Sequence, residues 1–416
     1  MTLPRVSVLI PAWNLWPMTR ECLESLAAHS PTDALEVCVV DNGSTDATTT
    51  DLVPLGTALF GDRFRLIRFP ENRGFAVASN EAARQVSGEY VLFLNNDTVA
   101  LPGWLPPLLD GFARSQGERI GAVGPLLLYE GGERVQHCGI AFSYGGVQHL
   151  YAHFPAEHPA VSGPGAARRH FQALTAAALL MPRALFLELG LFHEGYHNGF
   201  EDLDLCRSLT VQGYSLHCLP QSRMIHRESL TPGRKDHDAA NGALYSRRWP
   251  TFPDRDLYTF AHQDGLAVCL TDTLESCVCL PPRKEAELNR MAARLEDAEP
   301  LWDLLRAHPV WRGGYERLGA ILDVAGRHAD AVFVQALRCQ FFPDRLAAEA
   351  LSTAATRAGN AALAAQALAD CRRQDERVAD LDGLRRKASN LGRLARRDGK
   401  PEVEALYLEW LRRHGG

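Results

Sequence analysis

Four short runs rich in Val, Ile and Leu follow one another near the start of the chain: RVSVLIPAW, LEVCVVDNGS, FRLIRFPEN and EYVLFLNND. They are near-continuous rather than strictly alternating, which is the pattern of strands covered on both faces. Helical patterns separate them. PMTRECLESLAAH places Cys22, Leu23 and Leu26 on one face, and ATTTDLVPLGTALF and GFAVASNEAARQV follow in turn. Strands and helices in strict alternation predict an α/β fold, a mostly parallel sheet flanked by helices in the Rossmann-like manner. Such sheets bind ligands outside the carboxyl ends of their strands, and that is where this sequence changes character. The runs end in Pro11-Ala12-Trp13-Asn14, Asp41-Asn42-Gly43-Ser44, Glu71-Asn72-Arg73-Gly74 and Asn95-Asn96-Asp97. One polar cluster reads as a cap or a turn. Four on one rim point to a binding site.

The charge balance narrows what could bind there. Fifty acidic against 44 basic side chains leave a net charge of -6, so nothing pulls the chain as a whole towards nucleic acid or anionic membrane. Phosphate binding must come from a local site. MTLPRVSVLIPAW lacks the cationic start and long apolar core of a secretory leader. Ala173–Phe192 is the longest apolar stretch, and Pro182, Arg183 and Glu188 interrupt it, so no transmembrane segment is expected. The expected location is cytoplasmic, or peripheral at the inner face of the membrane. The ten cysteines include no CxxC pair, and Cys277-Val278-Cys279 has no histidines beside it. They read as scattered buried thiols of a reducing compartment rather than a zinc site.

Beyond about Glu285 the grammar changes to Ala, Leu, Arg and Glu at helical spacing. Tyr315, Leu318-Gly319, Gly326-Arg327, Ala329, Ala331, Ala336-Leu337 and Pro343 have the order of a tetratricopeptide-like hairpin, and Ala347–Cys371 is a weaker second copy with Gly359-Asn360 at its turn. A plain helical bundle is the equal alternative. The expected organisation is an α/β domain over 1–265, a linker over 266–284 containing Pro281-Pro282, and an all-α domain over 285–416 that offers a surface to a protein partner.

The strand ends carry chemistry. Asp41 begins DNGSTD and is either the acceptor of an Asx turn or a carboxylate for a ribose or base edge. Asn72-Arg73-Gly74 opens a helix, where a close backbone approach, a helix N-terminus and a fixed cation suit a phosphate. Asn95-Asn96-Asp97 offers only oxygen ligands and one carboxylate. That suits Mg²⁺ or Mn²⁺, which keep waters and bind a diphosphate alongside.

At these residues the chain resembles the inverting family-2 glycosyltransferases of GT-A fold. The matching segments are VSVLIPAWN, VVDNGSTD, ENRGFAVASNEA, YVLFLNNDT, GYHNGFEDLDLCRSLTVQGY and IHRESL, within residues 5–230 and in the family's order. The resemblance implies a donor site of Pro11, Trp13, Asn14, Asp41, Asn72, Arg73, Gly74, Asn80, Asn95 and Asn96, with Trp13 supplying the ring beside the base. Asn95-Asn96-Asp97 stands for the family's Asp-x-Asp metal motif, leaving Asp97 as the metal carboxylate and His226 as a further metal or diphosphate contact. Asp202 corresponds to the family's general base and Glu201 accompanies it, while Asp204 and Leu205 are expected to serve helix structure. The implied donor is a UDP-, dTDP- or GDP-linked sugar. The acceptor is a glycan, lipid-linked or protein hydroxyl, as in O-antigen and rhamnosyl transfer. Arg248-Trp249 is present, but Tyr245 occupies the place of the glutamine of processive synthases, so single-sugar transfer is expected. A sugar nucleotidyltransferase would carry a Gly- and Arg-rich loop after the first strand, where this chain has PAWNLWP. A degenerate transferase serving as a scaffold is the reading from another class, and the presence of Asp41, Asp97 and Asp202 weighs against it. The 129–172 segment, rich in Gly and His, is the expected seat of specificity and does not resolve into a pattern.

Overall fold

The computed structural model describes residues 5–31, 35–113, 117–227 and 237–415. The chain forms two compact units: residues 1–141 with 149–254, and residues 142–148 with 255–416.

The first unit is built on β1 (Val6–Ala12), α1 (Trp16–His29), β2 (Leu35–Asn42), α2 (Thr48–Phe60), β3 (Phe64–Phe69), α3 (Gly74–Gln85) and β4 (Tyr90–Leu94). Each of these expected strands and helices is present. The chain continues through β5 (Thr98–Ala100), α4 (Leu105–Ala113), β6 (Ile120–Leu128), β7 (Val135–His137), a small hairpin of β8 (Ile140–Phe142) and β9 (Val147–His149), α5 (Pro159–Ser162), β10 (Ala178–Pro182), α6 (Arg183–Glu188), α7 (Glu201–Val211), β11 (Ser215–His226) and α8 (Asp238–Arg248). One sheet runs β3-β2-β1-β4-β10-β6-β11-β5, with β7 added beside β6. β3, β2, β1 and β4 are parallel, as are β6 and β11, whereas β10 is antiparallel to both its neighbours and β5 is antiparallel to β11. The sheet is thus mostly parallel, with three antiparallel strands, β10, β5 and β7, in its far half.

The apolar runs explain the packing. Val6, Val8, Ile10, Val37, Val39 and Leu92 are all fully buried and share one core with Cys22, Leu23 and Leu26 of α1 and with Trp104 and Leu105. Each such side chain contributes about 1.5–3 kcal/mol by leaving water. Registry then sets the rim. Ala12 pairs with Asp41 and Asp41 with Arg68, so these strands end level with one another. The turn after β2 admits only glycine at position 43, where φ is 81° and a Cβ would lie 2.6 Å from the Glu71 backbone.

The second unit contains α9 (Leu257–Gln263), the antiparallel hairpin β12 (Ala267–Leu270) and β13 (Ser276–Cys279), and α10 (Pro282–Ala292) through α17 (Pro401–Arg413). Pro281 and Pro282, expected within a linker, instead occupy the N-cap and first turn of α10. Proline's fixed φ suits that place, and its missing N–H is one the helix leaves unpaired anyway. The expected repeat is α12 (Arg312–Val324) packed on α13 (His328–Phe341), with Gly326 at φ 72° in the turn. Gly319 lets these helices close: a Cβ there would lie 2.2 Å from Gln335 Nε2. The weaker copy is α14 (Arg345–Arg357) with α15 (Ala361–Ala379), turning at Gly359, and α16 (Leu381–Arg397) with α17 forms a third pair turning at Gly399. Side-chain caps open three of these helices: Asp344 accepts from Ala347 N, Asn360 from Leu363 N and Asp380 from Gly383 N. Among the described residues, no helix is long and apolar enough to cross a membrane.

Candidate active site

A cleft opens at the carboxyl ends of β1, β2 and β4. Pro11, Trp13, Asn42, Asn72, Phe75, Asn95, Asn96 and Asp97 line one part of it, and Thr175–Ala177, Asn198, Gly199, Glu201 and Asp202 line the rest. The antiparallel β10 explains the second group. Ala178 pairs with Leu94, and Asn95 N donates to Ala177 O at 2.9 Å, so the residues entering β10 lie beside those leaving β4.

Asp97 is held next to His226, the last residue of β11, with Asp97 Oδ1 and His226 Nε2 3.2 Å apart. Gln136 fixes that imidazole. Its Nε2 donates to His226 O at 2.9 Å, which turns its Oε1 to His226 Nδ1 at 2.6 Å. Nδ1 therefore carries a proton, and Nε2 faces Asp97 and Asn95 Nδ2, the latter at 3.1 Å. An imidazole with its outer N–H fixed, set one ligand–ligand spacing from a carboxylate oxygen, fits a divalent cation. Asn96 Nδ2 donates to Thr19 Oγ1 at 2.9 Å, which sets the turn between β4 and β5. In IHRESL, Glu228–Leu230 lie outside the described residues.

The acidic pair comes from the loop before α7. Asn198 and Phe200 both adopt left-handed backbone, φ 51° and 73°, with Gly199 between them at φ 152°. Non-glycine residues in that region cost about 1 kcal/mol or more each, so something must hold them. The buried Asn241 of α8 does so: His197 N donates to its Oδ1 at 3.2 Å, and its Nδ2 donates to His197 O at 3.0 Å and Gly199 O at 3.1 Å. Glu201 Oε2 accepts from Gly199 N at 2.7 Å. The Asp202 carboxylate accepts from Leu203 N at 2.8 Å and from Ala176 N at 3.2 Å, which ties it to the strand-entry segment of the cleft. Phe200, not an acidic residue, is the N-cap of α7.

Asp204 does more than support its helix. It is buried, its Oδ1 accepts from Tyr196 Oη at 3.0 Å, Arg248 Nε at 2.7 Å and Trp249 Nε1 at 2.7 Å, and its Oδ2 accepts from Arg248 Nη2 at 3.1 Å. Arg248-Trp249 is thereby locked to α7, and the hydrogen bond to Asp204 raises the Arg248 pKa further.

Several expected donor-site residues are placed elsewhere. Asp41 is buried, and its Oδ1 accepts from Ser44 N at 3.0 Å while Arg68 lies 3.6 Å from its Oδ2. This is the Asx turn, and it is Asn42 that reaches the cleft. Asn42 Oδ1 accepts from Arg73 N at 2.8 Å and its Nδ2 donates to Asn72 Oδ1 at 2.9 Å, shaping the entry to α3. Gly74 has φ 82° and donates to Asn72 Oδ1, whereas the Arg73 guanidinium lies over the Phe69 ring at 5.1 Å rather than on the cleft lining. Asn14 uses its Oδ1 to accept from Thr45 N at 2.8 Å and so braces the turn after β2. Asn80 is buried, and its amide joins Phe192 N and O at 3.0 and 2.9 Å and Glu194 at 3.1 Å, so packing rather than ligand contact explains it. Sequence reasoning missed Gln136, Thr175–Ala177 and Asn241, and it placed Asn42 and Phe75 in the motifs without giving either a role. Asn198 and Gly199 stood inside a quoted segment, but their left-handed backbone carried no signal beyond the Asn-Gly pair.

The glycosyl transferase family 2 model matches residues 7–137. An O-antigen biosynthesis protein of Myxococcus xanthus is 32% identical over 232 residues, 55% of this chain but only 18% of that protein, so this chain corresponds to a small part of that relative. An N-acetylglucosaminyl-diphospho-decaprenol L-rhamnosyltransferase of Mycobacterium tuberculosis is 28% identical over 228 residues, 50% of this chain and 71% of the relative. Among solved structures, GalNAc-T7 with UDP, GalNAc and Mn²⁺ aligns with a TM-score of 0.46 and 17% identity, over 63% of this chain and 54% of that one. Residues 7–137, which carry β1 to β4 and the cleft residues Pro11 to Asp97, are thus similar in sequence to the glycosyl transferase family 2 domain.

Proposed function

We propose that the protein is an inverting glycosyltransferase that moves one sugar from a nucleotide-diphosphate sugar to an acceptor hydroxyl. The observation that carries this reading is the meeting of Asp97, Asn95 and Asn96 with Asp202 and Glu201 in one cleft at the carboxyl edge of the sheet. Asp97 and His226 would hold Mn²⁺ or Mg²⁺. A cation there would supply the positive charge that neutralises a departing nucleoside diphosphate. Asp202 takes the proton from the acceptor hydroxyl as that oxygen attacks the anomeric carbon, and its two backbone N–H partners keep the carboxylate aimed. Glu201 holds the strained 198–200 loop through Gly199 and is a positioning residue in this scheme. Trp13, Asn42, Asn72 and Phe75 line the part of the cleft next to the β1 and β2 ends and suit the nucleoside.

The Mycobacterium and Myxococcus relatives support bacterial surface-glycan synthesis as the setting, with a deoxyhexose such as rhamnose among the donor sugars to try first. The helical hairpins of the second unit suit docking of a protein or glycan acceptor. The test is hydrolysis and transfer across a panel of UDP-, dTDP- and GDP-sugars, each with Mn²⁺, Mg²⁺ or chelator. Cation-dependent release of nucleoside diphosphate from one donor class supports the reading. Nucleotide binding without turnover of any donor, in the presence of candidate acceptors, would point to a scaffold instead.

A further inference from the structure

A second cluster of ligating side chains lies at the opposite edge of the same sheet. Ser215 of β11 pairs with Ile120 of β6, so Glu118, just before β6, and His217, just inside β11, sit at the amino-terminal ends of these parallel strands. β6 runs parallel to β4, since both flank the antiparallel β10, and the cleft is at the carboxyl ends. His170, at the end of the 129–172 segment, completes the group. Glu118 Oε1 lies 3.1 Å from His170 Nδ1 and 3.1 Å from His217 Nε2, and the three ligand atoms all fall within 4.8 Å of one another.

The chemistry of the buried histidine makes this more than a surface contact. His217 Nδ1 lies 2.9 Å from Arg169 O. A carbonyl oxygen only accepts, so Nδ1 carries a proton and Nε2 is the ring nitrogen turned to the Glu118 carboxylate. At this separation either a proton on Nε2 or a metal cation can join the two atoms, and the second imidazole of His170 on the same carboxylate oxygen favours the metal. Of the nearby arginines, Arg119 lies over the Tyr214 ring at 4.1 Å and donates to Gln212 O, and Arg169 donates to Ala160 O.

We propose that Glu118, His170 and His217 form a binding site for a borderline-soft divalent transition metal, Zn²⁺ above all, distinct from the cleft. Two imidazoles and one carboxylate are a common zinc set, and the hard cations Mg²⁺ and Ca²⁺ prefer all-oxygen shells. Arg169 O takes the outer-shell place that orients a ligating histidine. His170 is 62% exposed at its side chain, so the fourth position opens to water. The metal would pin the end of the 129–172 segment to the sheet.

The test is a calorimetric zinc titration of the full chain after chelator treatment, comparing wild type, His170→Ala, Glu118→Gln and Asp97→Ala. His170 is exposed, so His170→Ala should fold, and circular dichroism checks that it does. The wild type and Asp97→Ala should share one zinc-binding class that is weakened at least about tenfold in His170→Ala and Glu118→Gln. Cobalt substitution should give a visible d–d spectrum that His170→Ala loses. Zinc binding by folded His170→Ala indistinguishable from wild type would overturn the site and leave a proton-held His–Glu contact. Loss of all zinc binding in Asp97→Ala alone would overturn it too, by placing the metal in the cleft.

Discussion

Replacing Asp204 by Asn probes how the loop before α7 is held. Asp204 accepts four hydrogen bonds, from Tyr196, Trp249 and twice from Arg248, with its own side chain 5% exposed and that of Arg248 35% exposed. Asn keeps the shape and one acceptor oxygen, but turns a donor towards Arg248 Nη2 and removes the charge. Bonds to a charged acceptor are worth about 1.5–3 kcal/mol and neutral ones about 0.5–1.5 kcal/mol, so the change should cost several kcal/mol if Arg248 were sealed from water. Partial exposure lets water replace some of this, leaving about 2–3 kcal/mol. For a unit of this size that is a fall in Tm of about 5–10 °C. Because Asn241 of the same α8 holds residues 197–199, transfer activity should fall as well. Thermal unfolding of Asp204→Asn, Arg248→Gln and the double variant gives the coupling directly. A Tm unchanged within experimental error in Asp204→Asn, or strict additivity in the double variant, would refute the clamp.

Asp97→Ala should abolish transfer and remove the cation dependence of nucleotide binding, followed by calorimetry with Mn²⁺; unchanged dependence would place the cation elsewhere. Gln136→Leu should leave the fold intact but weaken Mn²⁺ binding about 10–100-fold by freeing the His226 ring, and an unaltered affinity would separate His226 from the metal. Glu36 gives a pH dependence. Burial alone would raise its carboxyl, but Ser87 N–H, the Ser7 hydroxyl and Arg65 together hold it below its ordinary 4.5. Its folded value is the depressed one, so its stabilisation is full above about 4.5 and is lost as pH falls through the folded value. Glu36→Gln should therefore lower stability at pH 7 by about 1–3 kcal/mol and the gap to wild type should close in acid, as denaturant midpoints at several pH values would reveal.

What the sequence disclosed and what it hid follow from the range of the interactions. β1 to β4 and α1 to α3 were legible because uninterrupted apolar runs and helical spacing are local signals. The cluster Asn95-Asn96-Asp97 was legible because polar residues at the end of a buried strand have few structural reasons to be there. The far half of the sheet was not, since the antiparallel insertion of β10 depends on Ala178 meeting Leu94 across more than eighty residues. Gln136 and Asn241 escaped for the same reason: each is an ordinary amide until the fold brings it to His226 or to the 197–199 backbone. Asp41, Asn14 and Asn80 show a second limit. Their places in the motifs suggested ligand contact, yet their hydrogen bonds are satisfied by turns and by packing. Pro281-Pro282 was read as a break, and it is a helix start, because a proline pair carries both meanings until its neighbours are placed.

The central claim is that Asp202 is the general base of a sugar transfer. Asp202→Asn keeps the shape and can still accept from Ala176 N and Leu203 N, but cannot take a proton. With the donor identified, the decisive measurement is the transfer rate of Asp202→Asn beside its nucleotide affinity. The account predicts affinity near that of the wild type and a rate reduced by about 10²–10⁴-fold. An Asp202→Asn enzyme that transfers sugar at the wild-type rate would contradict it and shift the role to Glu201.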